Sequence, residues 1–242
     1  MKNTSMKIEI CTNSVQSAVT AQENGAQRIE LCCNLAAGGL TPSAGTIQLA
    51  RKWLAIDMHV LIRPRTGDFF YSDIEMETML KNILYCREQG VDGVVFGVLN
   101  QDHTIDVERN AILLEAARPM KATFHRAFDC VPNPEEGLEQ LIELGFERVL
   151  TSGQQASAMA GKQIIKDLVQ QADQRILILP GGGLNQNNIK EFVSFTNVKE
   201  VHLSAKKAVA SGAEGLFEAT YFETSEEEVA KVVEEISSIS RS

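Results

Sequence analysis

Eight alternations of a short apolar run with an amphipathic helical stretch predict an α/β fold, a closed (β/α)8 barrel of the TIM type. Two further observations agree. The runs are apolar on both faces and rich in Val, Ile and Leu, as are strands of a parallel sheet covered by helices. A weak repeat also places a glycine shortly before strands two, four and six: Gly25-Ala26-Gln27-Arg28-Ile29, Gly90-Val91-Asp92-Gly93-Val94 and Gly145-Phe146-Glu147-Arg148-Val149. The chain has 242 residues, close to the ~250 that such barrels use as a single domain. No linker or low-complexity segment divides it. One domain over 1–242 is expected, with the barrel core at about 7–204 and an irregular stretch plus a last helix at 205–242.

Strand one is read at Lys7 to Cys11, and Ser14 caps the helix that carries Val15, Ala18 and Val19. Gly25 ends that helix, and Arg28 to Cys32 forms strand two. Thr41-Pro42 is expected to open the next helix, because a proline in the first turn loses no hydrogen bond. His59 to Ile62 is strand three. Ser72 starts a long helix whose apolar face is Met76, Met79, Leu80, Ile83 and Leu84. Strands four to eight follow at Gly93 to Phe96, Ala122 to His125, Arg148 to Leu150, Ile176 to Leu179 and Glu200 to Leu203. Between them Asp106 and Pro134 open helices four and five, Ile164, Ile165, Leu168 and Val169 mark helix six, and Ile189, Phe192 and Val193 suit a short helix seven. Val229, Val232, Val233 and Ile236 mark the last helix.

Composition narrows the function. A net charge of −9 with no Lys/Arg-rich run argues against nucleic acid and anionic membranes as partners. Met1 to Lys7 lacks an apolar signal core, and no apolar run approaches the ~20 residues of a spanning helix. A cytoplasmic protein with reduced thiols is expected. The five cysteines, Cys11, Cys32, Cys33, Cys86 and Cys130, include no Cys-x-x-Cys pair, so a structural zinc knuckle is not indicated. Homo-oligomerisation is compatible with the sequence.

Barrel chemistry sits at strand C-termini. Those ends here carry Glu9, Cys11, Glu30, Cys32, Arg63, Arg65, His125, Arg126, Thr151, Ser152, His202 and Ser204. Ile8-Glu9-Ile10-Cys11 and Ile29-Glu30-Leu31-Cys32 place a carboxylate and a thiol at equal positions of two successive strands. A carboxylate within an apolar strand is costly unless paired, which favours a shared site.

Four sets of motifs stand in order along the chain: Ile29-Glu30-Leu31-Cys32 with Gly38-Gly39-Leu40-Thr41-Pro42-Ser43, Ile62-Arg63-Pro64-Arg65 with Gly67-Asp68-Phe69, Phe124-His125-Arg126-Ala127-Phe128-Asp129, and Leu150-Thr151-Ser152-Gly153. Together they resemble the CutC copper-homeostasis family. The resemblance runs from about Lys7 to Ser204. It implies a barrel, a cytosolic location and the handling of copper as Cu(I). Cu(I) prefers thiolates, and Cys11 and Cys32 are the ligands the resemblance suggests. Two inert buried thiols are the competing reading. Cys33 stands where a small polar residue is expected and is a secondary candidate ligand.

A second reading is an enzyme, a lyase, isomerase or hydrolase acting on a small anionic molecule. His125, Glu30, Glu9 and His202 are its candidate acid–base groups. Arg63, Arg65, Arg126, Gly182 and Ser204 are its candidate anion-binding residues. The competing reading for the arginines is internal pairing with Glu9, Glu30 and Asp129. His59 and His103 are set aside, and no organic cofactor is evident.

Overall fold

A computed structural model describes residues 6–210, 212 and 220–239. Eight parallel strands form the centre: β1 (Lys7–Thr12), β2 (Arg28–Leu31), β3 (Asp57–Leu61), β4 (Gly93–Phe96), β5 (Lys121–Phe124), β6 (Arg148–Thr151), β7 (Leu177–Pro180) and β8 (Glu200–Leu203). The hydrogen-bonded order runs from β7 in descending sequence order to β1 and then β8, so the sheet rolls up. The ends meet closely: a Cβ added to Gly181, just after β7, would lie 3.1 Å from the His202 ring on β8. The expected (β/α)8 barrel is what forms.

Helices α1 (Val15–Glu23), α2 (Ala44–Trp53), α3 (Asp73–Glu88), α4 (Val107–Ala117), α5 (Pro134–Leu144), α6 (Lys162–Ala172), α7 (Ile189–Thr196) and α8 (Glu226–Ile239) belong to the outer layer. Several starts follow the capping chemistry. Ser14 accepts from the Ser17 amide, Asp106 from Arg109, and Ser72 and Glu75 form a reciprocal capping box. Helix α2 departs from expectation. Ser43 is its cap, and Thr41-Pro42 precede it instead of opening it. The Thr41 hydroxyl is occupied in tying the loop to β3: it accepts from the Arg63 amide at 2.8 Å.

Three further elements lay outside the sequence reading. One is a 3-10 helix at Leu35–Ala37, in the loop after β2. A second 3-10 helix spans Arg126–Cys130 directly after β5. Part of the expected irregular stretch is an antiparallel hairpin, β9 (Lys206–Ala210) with β10 (Thr220–Thr224). The rest of the expected stretch between them lies, apart from Gly212, outside the described residues.

The core has two compartments set by the two faces of each strand. Ile8, Ile10, Ile29, Met58, Val60, Val94 and Phe124 belong to the larger cluster, packed against the helices. Burying each such aliphatic side chain contributes roughly 1.5–3 kcal/mol. Cys11, Cys32, Leu61 and Val95 form a separate small cluster inside the barrel. Below it the interior is charged. Arg28, fully buried, pairs with both Glu9 and Glu200, and Glu200 also accepts from Arg148 at 2.8 Å. His59 lies buried at the same level, and its ring occupies the space a side chain at Gly93 would need.

Register explains how these layers arise. Cys11 is the ladder partner of Glu30, and Glu9 is the partner of Arg28 on one side and His202 on the other. The stagger that closes a barrel therefore shifts the two Glu-x-Cys strands against each other by two residues.

Candidate functional site

At the C-terminal end of the barrel lies a cavity of about 240 Å³. Its lining includes Cys11 and Glu30 from the first two strands, Arg63 after β3, His125 after β5, and His202 and Ser204 from the eighth strand and its end.

The thiols meet. Cys11 Sγ lies 3.8 Å from Cys32 Sγ and 3.7 Å from Glu30 Oε1. Cys11 Sγ, a Glu30 oxygen and a His202 ring nitrogen all fall within 4.8 Å of one another. His202 Nδ1 is 2.6 Å from Glu9 Oε1, so Glu9 fixes the ring and leaves Nε2 for the site. A carboxylate behind a histidine is the usual outer partner of a metal-bound imidazole.

The charges are set by surroundings. Burial would raise the Glu9 pKa, but Arg28 and then His202 outweigh it and hold Glu9 well below the carboxylate range. Glu30 has no such cation in contact, and burial pushes its carboxyl up to about 7. Its Oε2 is buried without a partner. The hydrogen bond with Cys32, then burial, holds the Cys11 thiol well above its ordinary value. Burial opposes protonation of His202, but Glu9 and Glu30 outweigh it and raise its pKa.

His125 differs. Burial, reinforced by Arg63, pulls its imidazole down to about 3. Nδ1 accepts from the Ala127 amide at 3.3 Å, so the neutral ring carries its proton on Nε2, which has no partner. At neutral pH it is a hydrogen-bond donor of fixed tautomer, not a titrating acid. The Phe69 ring packs 4.9 Å from it, and the Arg63 guanidinium lies 5.2 Å from the Phe69 centroid.

The arginines separate. Arg63 neither pairs with Glu9 nor with Glu30. Its Nη atoms donate to the carbonyls of Ala37, Gly39 and Gly67 and hold two loops over the mouth. Arg65 is corrected as an anion-site residue: it turns outward to Asp68 and Glu75, because the α3 capping box presents Glu75 to it. Arg126 donates from Nε to Asp129 at 2.8 Å and from Nη2 to Ser152 at 2.8 Å, and it lines the cavity.

A family model described as the CutC family matches residues 6–207. The chain belongs to the CutC family. It is 49% identical over 207 residues to a family protein CutC of Bacteroides fragilis, covering 85% of this chain and 82% of that one. It is 47% identical over 205 residues to the copper homeostasis protein cutC homolog of Homo sapiens, covering 85% and 75%. A solved CutC structure from Streptococcus agalactiae superposes with a TM-score of 0.79 at 35% identity, covering 82% of this chain and 98% of that one. Phosphoribosylanthranilate isomerase of Thermotoga maritima, at 12% identity and TM-score 0.60, covers 96% of this chain and 99% of its own, and shares the fold alone.

In this CutC-family barrel the sequence-derived residues Glu9, Cys11, Glu30, Cys32, His125 and His202 come together at one end. Cys33 does not join them; its thiol donates to the Thr41 carbonyl at 3.2 Å. Gly182 and Ser204 do line the mouth, as does Arg126. Two participants were missed. Phe69 stood in a quoted motif but was given no role. Arg28, which holds Glu9 ionised, was read only as a strand start. Period-two alternation already put Arg28 on the face of Glu30 and Cys32.

Proposed function

We propose that this protein handles copper in the cytoplasm, binding one Cu(I) through Cys11 and Cys32. The observation that carries the reading is the 3.8 Å separation of the two sulfurs beside the cavity. Two metal–sulfur bonds of ~2.3 Å, taken from zinc thiolates, span at most about 4.6 Å. A separation of 3.8 Å fits a bent clamp with room for a third ligand. Glu30 and His202 stand in reach of that position.

The donor set suits the ion. Thiolates select soft Cu(I), and imidazole completes such sites. Among the described residues all five cysteines are free thiols, so neither sulfur of the pair is tied up in a disulfide. The copper-homeostasis name of the human relative supports the same reading. Because Cys11 holds its proton tightly in the free protein, metal uptake expels protons and strengthens as pH rises.

The test is titration of the reduced protein with Cu(I) against a competing chelator. One ion per chain is expected, with binding lost in a Cys11→Ser plus Cys32→Ser double variant. Unchanged affinity in that variant would overturn the ligand assignment.

A further inference from the structure

The same cavity holds features that a soft cation does not use. Its outer rim is built from hydrogen-bond donors. Arg126 spends Nε and Nη2 on Asp129 and Ser152, while Nη1 has no partner among the described residues. Facing it is the loop after β7. The backbone N–H groups of Gly182 and Gly183 donate to no acceptor among the described residues. Gly182 has φ +103, and a Cβ there would lie 3.7 Å from Arg126 Nη1 and 3.4 Å from the Ser152 side chain. The glycine keeps that space clear. Ser204 adds a hydroxyl from the end of β8. Loops after strands seven and eight are where (β/α)8 barrels bind phosphate groups.

Deeper in, three lining residues each keep a buried polar atom without a partner among the described residues: Arg63 Nε, His125 Nε2 and Glu30 Oε2. All three side chains belong to residues more than nine-tenths buried. Leu61, Phe69, Leu150 and Leu184 supply apolar wall between them and the rim. The volume, about 240 Å³, is just under the ~300–1,000 Å³ of small-molecule sites.

We propose that this cavity is a binding site for a small phosphate monoester, its phosphate held by Arg126 Nη1 and the Gly182 and Gly183 amides. Its short carbon skeleton lies against Leu61, Phe69 and Leu150, and its hydroxyl or carbonyl oxygens point toward His125. Donors arriving from two loops on different sides suit a tetrahedral anion better than a planar carboxylate. The proposal is independent of copper binding, since none of the phosphate donors is a thiol.

The experiment is calorimetric titration of the reduced, chelator-treated protein with glycerol 3-phosphate, inorganic phosphate, glycerol and acetate. Glycerol 3-phosphate is expected to bind most tightly, inorganic phosphate next, and glycerol and acetate not measurably. Arg126→Gln should weaken both phosphates by about tenfold or more, the worth of one charged hydrogen bond. Arg65→Gln removes the same charge outside the cavity and should leave affinity unchanged. If Arg126→Gln fails to fold by circular dichroism, Arg126→Lys replaces it, and weakened binding is again expected because the fork is lost with the charge kept. Absence of phosphate binding in the parent protein, equal affinity in the Arg126 variant, or an equal loss in Arg65→Gln would overturn the proposal. Cu(I) stoichiometry measured on the Arg126 variant should stay at the parent value, so failure of one reading does not entail failure of the other.

Discussion

The backbone partner of Cys11 on the neighbouring strand is Glu30, yet its sulfur meets that of Cys32, two residues further along. The barrel's stagger produces this diagonal. It brings the two thiols and the carboxylate into one contact group, where an unstaggered sheet would have paired thiol with thiol and carboxylate with carboxylate.

That proximity predicts a redox response. Mild oxidation of the folded protein should link Cys11 to Cys32, whose sulfurs lie 3.8 Å apart and must close to about 2.05 Å. Of the five thiols, three should then remain reactive after unfolding without reductant. Peptide mapping should find the bond between the first two cysteines. Five reactive thiols after oxidant treatment would contradict this.

His125 predicts a pH effect. Its folded-state pKa, down at about 3, lies below that of an unfolded histidine near 6.5. The unfolded chain therefore binds more protons between those values. The contribution is fully present above about pH 6.5 and is lost as pH falls toward 3. Urea denaturation from pH 7 to 4 should show a shallower loss of stability in His125→Gln than in the parent. In NMR the His125 ring should keep one chemical shift from pH 8 to 5.

Arg28 predicts a large stability loss. Replacing it with Ala leaves Glu9 and Glu200 buried without their shared cation. Breaking such a pair costs about 3–5 kcal/mol. Arg65→Ala, which removes only the partly exposed pairs with Asp68 and Glu75, should cost ~0–1 kcal/mol. Chemical denaturation of the two variants side by side checks the contrast.

Gly97 predicts a local effect on the site. A Cβ there would lie 2.8 Å from His125 Nδ1 and 2.9 Å from the Phe124 ring. Gly97→Ala should displace the His125 ring and cost about 1–3 kcal/mol through overpacking. The His125 ring resonance should move in the NMR spectrum, and denaturation should show the loss. An unmoved resonance at parental stability would refute the close packing.

The strands were legible because each is a short Val/Ile/Leu run bounded by glycine or a cap, as at Val94 and Ile178. Convergence of Glu30, His125 and His202 followed from their places at strand ends. The diagonal between Cys11 and Cys32 was not legible, because stagger belongs to the closed sheet and no single strand encodes it. The direction of Arg65 was missed for a different reason: Ser72 and Glu75 announce a capping box, but not that its carboxylate also captures an arginine from the preceding loop. His59 was set aside although it alternates with Leu61 and Arg63. The β9–β10 hairpin escaped because Lys206 and Lys207 are both exposed and give no apolar alternation.

The charged layer of Glu9, Arg28, Glu200 and Arg148 makes the barrel a vessel with one opening. An ion crossing that layer would have to part buried ion pairs, at a cost of several kcal/mol. Whatever enters past Arg126 must leave past it.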